Sequence, residues 1–290
     1  QGCGTALVTP FLPDLSLDEA ALRALVRRQM EGGVLFLVPC GTTGESPTLS
    51  RREHLRVVEI TLEEAAGRIP VAAGCGGYDT PGGSELARDL EAMGVDALLS
   101  VTPYYNKPTQ AGLIEHYQAI AAQTKLPIIV YSVAGRTGVN VEPATLARLA
   151  GVPNIRAVKE ASGNIAQMAA ICARVPADFA VLSGDDAITL PLAALGGRGV
   201  ISVVSNQIPG VMAELCTHLL AGDFAAARAL HARWLPLMEV NFAESNPIPV
   251  KYALSRMGLC HAVWRLPMTP PSPAAAARID AVLQELNLIP

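Results

Sequence analysis

What this sequence lacks narrows its identity before any motif is read. Aromatic residues make up only 4% of the 290 residues, although half of the chain is hydrophobic. The core must therefore be built mainly from Ala, Val, Ile and Leu, as in strands covered on both faces by helices. No apolar run approaches the roughly 18 residues needed to span a bilayer. The longest, such as Val34–Cys40, have the length of a strand. The net charge is −4 and no stripe of Lys and Arg stands out, which argues against nucleic acid as a partner. No basic segment followed by an apolar one opens the chain, so no secretory signal and a cytoplasmic location are expected. The six cysteines (Cys3, Cys40, Cys75, Cys172, Cys216 and Cys260) form no CxxC and are irregularly spaced. They read as reduced, buried thiols rather than as disulfides or a zinc site.

What is present alternates. Short β-rich runs at Thr5–Pro10, Val34–Cys40, Pro70–Gly74, Ala97–Thr102, Pro127–Val133, Arg156–Glu160, Ala180–Gly184 and Gly199–Val204 are separated by Ala/Leu-rich amphipathic stretches. Helices are expected to begin near Asp18, Arg51, Gly83, Thr109, Pro143, Asn164, Ala187 and Pro209. Ser16 with Glu19, and Ser50 with Glu53, have the spacing of capping boxes. Eight strand–helix alternations favour a closed (β/α)8 barrel over a doubly wound sheet. No GxGxxG follows the first strand, and the Gly74-Cys75-Gly76-Gly77 run after the third has the wrong spacing. The barrel is assigned residues 1–222. Residues 223–290 form a C-terminal helical region, with helices expected at Phe224–Glu244, Ile248–Met257 and Ala274–Leu286.

In a barrel of this kind chemistry sits where strands end. Lys159 is the sharpest signal there. Alternation along its strand places Ile155, Ala157 and Lys159 on one face, and the small Ala157 marks that face as the barrel interior. A lysine inside a barrel is costly unless it is paired or neutral, and a neutral amine attacks a ketone carbonyl. The alternative is a rim lysine paired with Glu160 or Asp185. Tyr131 falls on the neighbouring strand, either as a proton carrier or as a core tyrosine with a capped hydroxyl. Thr42 and Thr43, in a Gly-flanked turn, suit a carboxylate or simply stabilise the turn. Arg136 lies in a loop expected to be flexible, either clamping a carboxylate or solvated. Asp185 and Asp186 raise an acid pair or a metal site, but no histidine stands at ligand spacing and no metal is expected.

Taken together these residues resemble the dihydrodipicolinate synthase and N-acetylneuraminate lyase superfamily over essentially the whole chain. Gly41-Thr42-Thr43-Gly44-Glu45 and the strand-six Lys159 carry the resemblance. Tyr104-Tyr105-Asn106-Lys107-Pro108, Gly135-Arg136-Thr137-Gly138, Ser183-Gly184-Asp185-Asp186 and Asn246-Pro247-Ile248-Pro249-Val250-Lys251 resemble its synthase branch. The resemblance implies an imine between Lys159 and pyruvate with no separate cofactor. It also implies a proton relay of Tyr131, Thr42 and Tyr105, with Tyr105 reaching across a subunit interface. Thr43, Ile201 and Gly184 would line the pyruvate site, and Arg136 would receive the carboxylate of L-aspartate 4-semialdehyde. A homotetramer, built as a dimer of dimers, is implied as well.

The implied reaction is the entry step of the diaminopimelate route to lysine. The alternatives are a class I pyruvate aldolase acting on a sugar acid or hydroxy-oxoglutarate, or a barrel that only binds a small acid. Two departures from the pattern stand out. Ser132-Val133-Ala134 replaces the family's Asn-Val-Pro, which leaves the backbone before Arg136 free of a proline. At the family's site for inhibitory lysine, Ser46, His54 and Tyr104 match. Tyr78, however, stands for an asparagine, bulky enough to fill part of the cleft, and Gly82 stands for a glutamate.

Overall fold

A computed structural model describes all 290 residues. Eight parallel strands run β1 (Gly2–Ala6), β2 (Phe36–Val38), β3 (Ala72–Cys75), β4 (Ala97–Val101), β5 (Ile128–Ser132), β6 (Ile155–Glu160), β7 (Ala180–Ser183) and β8 (Gly199–Ser202). Their spatial order is β2-β1-β8-β7-β6-β5-β4-β3. The two ends of that order meet through a parallel bridge between Leu37 and Val71, with Leu37 N donating to Pro70 O at 2.9 Å, so the sheet closes into a barrel. Helices follow the strands: α1 (Glu19–Glu31), α2 (Arg51–Ala65), α3 (Thr80–Met93), α4 (Gln110–Ala121), α5 (Ala134–Thr137), α6 (Pro143–Leu149), α7 (Ile165–Cys172), α8 (Thr189–Ala194) and α9 (Pro209–Leu220). Three more close the chain: α10 (Phe224–Val240), α11 (Ile248–Arg256) and α12 (Pro273–Glu285). This is the (β/α)8 barrel with C-terminal helices that the alternation implied.

Local chemistry explains most boundaries. Ser50 and Glu53 form the expected capping box at the start of α2. The other proposed box does not form. Asp18 caps α1 by accepting from Ala21 N, while Ser16 turns back onto Asp14. The helix expected near Gly83 begins at Thr80, because Asp79 accepts from Gly82 N and a proline occupies its first turn. Strand one lies earlier than expected, at Gly2–Ala6 rather than Thr5–Pro10. Its pairing with β8 starts at Gly2 and Gly199, where the backbones approach so closely that a Cβ on Gly199 would lie 2.0 Å from Gly2 O. Only glycine permits that seam.

Two apolar layers result. A cluster of 53 buried residues fills the space between sheet and helices, against 10 inside the barrel, so the outer layer is the main core. The inner layer includes Ala6, Val38, Leu99, Ile129, Ala157 and Leu182, which leaves a single face per strand for polar substitution at the C-terminal end. The last helices are not a separate body. Val250 and Leu254 of α11 pack with Val8, Leu25 and Val203 above the barrel rim. All six thiols are free, and no helix is long and apolar enough to cross a membrane.

Candidate active site

Lys159 occupies the penultimate position of β6 with its side chain in the barrel, 3% exposed. Register places it beside Tyr131 on β5 and Leu182 on β7. Its Nζ lies 4.3 Å from the centre of the Tyr131 ring. The rim ion pair does not form. Glu160 turns to the other face of the strand, where its carboxylate accepts from Ser162 N and Gln167 Nε2. Asp185 accepts from Ala187 N instead. Tyr131 likewise differs from a core tyrosine. Tyr117, fully buried, donates its hydroxyl to Ser100 O at 3.1 Å, whereas the Tyr131 hydroxyl has no partner in the chain and faces a cavity.

Two cavities meet at Tyr131, Val133 and Arg136. The smaller, about 100 Å³, holds Lys159 together with Thr43, Gly184, Asp185, Val203 and Asn246. The larger, about 280 Å³, is lined by Thr42, Ser46, His54 and Tyr104 among others. The consecutive threonines of the strand-two turn thus serve different spaces. Gly184 leaves room for the lysine, since a Cβ there would lie 2.6 Å from Ala161 Cβ and 3.1 Å from Lys159 Cε. Ile201 lines neither cavity. It is fully buried in the inner layer, and its neighbour Val203 reaches the Lys159 space.

Arg136 departs from expectation. It sits in the helical turn α5 rather than in a free loop: Arg136 N and Thr137 N both donate to Val133 O, and Gly138, at φ 69°, ends the turn. Ala134, where the family has its proline, is the first residue of α5, and the turn is closed by the amides of Arg136 and Thr137 rather than by its own. The guanidinium donates to Asn246 O at 3.0 Å, and Asn246 Nδ2 donates to Thr43 Oγ1 at 2.9 Å. Tyr105 is not brought to Lys159 within one chain. It is 93% exposed with a left-handed φ of 71°.

In the larger cavity His54 Nε2 contacts Gly74 O at 3.0 Å, and burial pushes its pKa down to about 4, so the ring is neutral at neutral pH. Burial raises the Tyr104 hydroxyl's pKa. Tyr78 does not fill this cavity. It stands outside, 59% exposed, its ring edge against Tyr104 at 5.9 Å. Gly82 N is committed to the Asp79 cap.

Three further residues complete the surroundings. Asn246 bridges Thr43 and Arg136, as described. Asp186, whose pKa is pushed up to about 6 by burial, accepts from Val203 N and Val204 N and so fixes the turn that carries Val203. Lys251 forms a fully buried ion pair with Glu45. The signal for Lys251 was present in the sequence, as one lysine among apolar residues of a short helix. The partners lie some 200 residues away and follow no period. No group of three or more His, Cys, Asp or Glu is placed to hold a metal ion.

The model of the dihydrodipicolinate synthetase family matches residues 1–286. This chain belongs to that family. A relative from Koribacter versatilis, named 4-hydroxy-tetrahydrodipicolinate synthase, is 52% identical over 290 residues, covering all of this chain and 97% of the relative. A solved monomeric dihydrodipicolinate synthase variant superposes with a TM-score of 0.98 at 45% identity, covering 100% of this chain and 97% of that one. The chloride-inhibited dihydrodipicolinate synthase from Acinetobacter baumannii, complexed with pyruvate, gives 0.98 at 42% identity, covering 100% and 99%. Within the family frame, the Lys159 cavity lies at the barrel end where (β/α)8 enzymes keep their chemistry.

Proposed function

We propose that this chain condenses pyruvate with L-aspartate 4-semialdehyde, giving 4-hydroxy-tetrahydrodipicolinate and water through an imine on Lys159. The observation that carries the reading is the buried amine of Lys159, unpaired inside the barrel and over the ring of a tyrosine whose hydroxyl has no partner in the chain. The deprotonated amine attacks C2 of pyruvate, and the carbinolamine loses its oxygen as water. Loss of a proton from C3 gives the enamine, whose C3 attacks the aldehyde carbon of the semialdehyde. The amino group of the second substrate then displaces Lys159 from C2, closing the ring and restoring the free enzyme.

The side chains divide this work. Tyr131 moves the protons at the carbinolamine, passing them to Thr42 at its other side and to Tyr105 of a second copy, whose exposure in the single chain suits that use. Thr43, fixed by Asn246, holds the pyruvate carboxylate, with Gly184 leaving space for the imine, while Ile201, which lines neither cavity, packs in the inner layer. Arg136 takes the carboxylate of the semialdehyde in a geometry set by α5 and Asn246 O. The assembly that brings Tyr105 into a neighbouring site is a homotetramer, and the site requires no metal or separate cofactor.

Borohydride added with pyruvate tests the imine. A reduced pyruvyl adduct is expected on Lys159 alone, read by mass spectrometry, and its absence or its appearance on another lysine defeats the mechanism. A coupled assay that offers the semialdehyde beside sugar acids and hydroxy-oxoglutarate tests the second substrate. Faster turnover with any of the others would reassign it.

A further inference from the structure

Lys251 Nζ lies 2.5 Å from Glu45 Oε1, with side chains 0% and 1% exposed. The same Nζ is 4.2 Å from the centre of the Phe11 ring, and the Arg265 guanidinium is also 4.2 Å from that ring. Thr9 Oγ1 donates to Gly44 O at 2.7 Å. Four stretches therefore converge at Glu45: the loop after β1, the Gly41–Glu45 turn, α11, and the segment of Arg265, whose backbone N donates to Glu45 Oε2 at 3.5 Å. A buried ion pair is a poor device for stability alone, because an apolar pair of similar volume serves a fold as well or better. What the charges add here is placement. Glu45 is two residues beyond Thr43 and is held at a left-handed φ of 53°. Lys251 is five residues beyond Asn246, which bonds Thr43 with its amide nitrogen and Arg136 with its backbone carbonyl. Neither member of the pair lines the Lys159 cavity.

We propose that the Lys251–Glu45 pair is a positioning element of the reaction centre, locking the Thr42–Glu45 turn to α11 so that Asn246 holds Thr43 and Arg136 at a fixed separation. This rests on the roles assigned to Thr43 and Arg136 above. Loosening the pair shifts the two carboxylate-holding groups relative to Lys159 and leaves the amine itself in place. It therefore weakens substrate capture more than proton transfer.

The test compares Lys251→Met with the double variant Glu45→Leu, Lys251→Met. The single variant strands a buried carboxylate and is expected to melt about 10 °C lower. The double variant removes both charges and is expected to regain most of that loss. Its KM for pyruvate should nevertheless stay raised by roughly 10- to 100-fold, the scale of a misplaced binding group, while kcat stays within about threefold. Recovery of the melting temperature together with a parental KM overturns the proposal and leaves the pair a structural one. Lys251→Arg, which keeps the charge but changes its reach, covers the case of a double variant that does not fold. A raised KM in this folded protein supports the proposal, and a parental KM overturns it. The pyruvate dependence of borohydride trapping reads the same affinity without the second substrate, so an error in naming the semialdehyde does not touch the result. Trapping in the parent protein separately tests the imine.

Discussion

Of the four lysines in the chain two are exposed and two are buried, and the buried two are kept in opposite ways. Lys251 is sealed between loop and helix with a carboxylate on one side and an aromatic face on the other. Lys159 is nearly as buried, yet it has no anion beside it and opens on a cavity. A charged group removed from water must be compensated, and Lys251 is compensated by protein. Lys159 is left facing the cavity, where the proposed mechanism has it capture a carbonyl covalently. Burial alone does not separate the two positions. The presence of a partner does.

The largest expected effect comes from breaking the uncompensated side. Lys159→Met should lower turnover by roughly 10⁴-fold or more, because the covalent route is lost, and should abolish the pyruvate adduct. Its melting temperature should hold or rise, since an unpaired buried amine becomes apolar. Calorimetry beside Lys251→Met, expected to melt lower, checks the contrast directly. Tyr131→Phe comes next, with kcat lower by roughly 10²–10⁴-fold and an unchanged fold. Tyr117→Phe is its counterpart. It gives up the bond to Ser100 O and should cost about 1 kcal/mol of stability with normal kcat. A Tyr131 variant with parental turnover would return that residue to the core.

A finer probe is Gly184→Ala. The new methyl presses on Ala161 Cβ and Lys159 Cε, so imine formation should slow by roughly 10- to 100-fold in stopped-flow measurements. Parental rates would show that Lys159 has slack. The smallest effect concerns the larger cavity. Ser46, His54 and Tyr104 line it, but Gly82 brings no carboxylate and Tyr78 lies outside. Without a partner for the ammonium of free lysine, affinity falls by orders of magnitude. Half-inhibition by lysine should therefore require more than submillimolar concentrations, and a lower value in a titrated assay would locate a carboxylate elsewhere in the cleft.

The fold was legible because helix and strand periods alternate, and because β-strand alternation assigns Ala157 and Lys159 to one face without knowledge of the rest. The Thr42–Thr43 turn, Tyr131 and Gly184 were found from their places at strand ends. Strand one was displaced because its start is set by close contact between two glycines, Gly2 and Gly199, that lie at opposite ends of the barrel sequence. The α5 turn was missed because four residues are too few to show a period. The parts played by Asn246, Asp186 and the Glu45–Lys251 pair escaped for a different reason. Each works through a partner chosen by the folded shape, and Glu45 and Lys251 are 206 residues apart in the chain.

That separation also has a consequence in time. A ribosome extends a chain at roughly 5–20 residues per second, so Glu45 leaves the tunnel about 10–40 s before Lys251 does. Through that interval the strand-two turn can be tied to Thr9 but not to α11, and Glu45 lacks its ammonium partner. All eight strands have emerged by then, but Thr43 and Arg136 still lack Asn246. The chain order thus places the scaffold before the Asn246 bridge, and a chain stalled before α11 would carry the barrel without it.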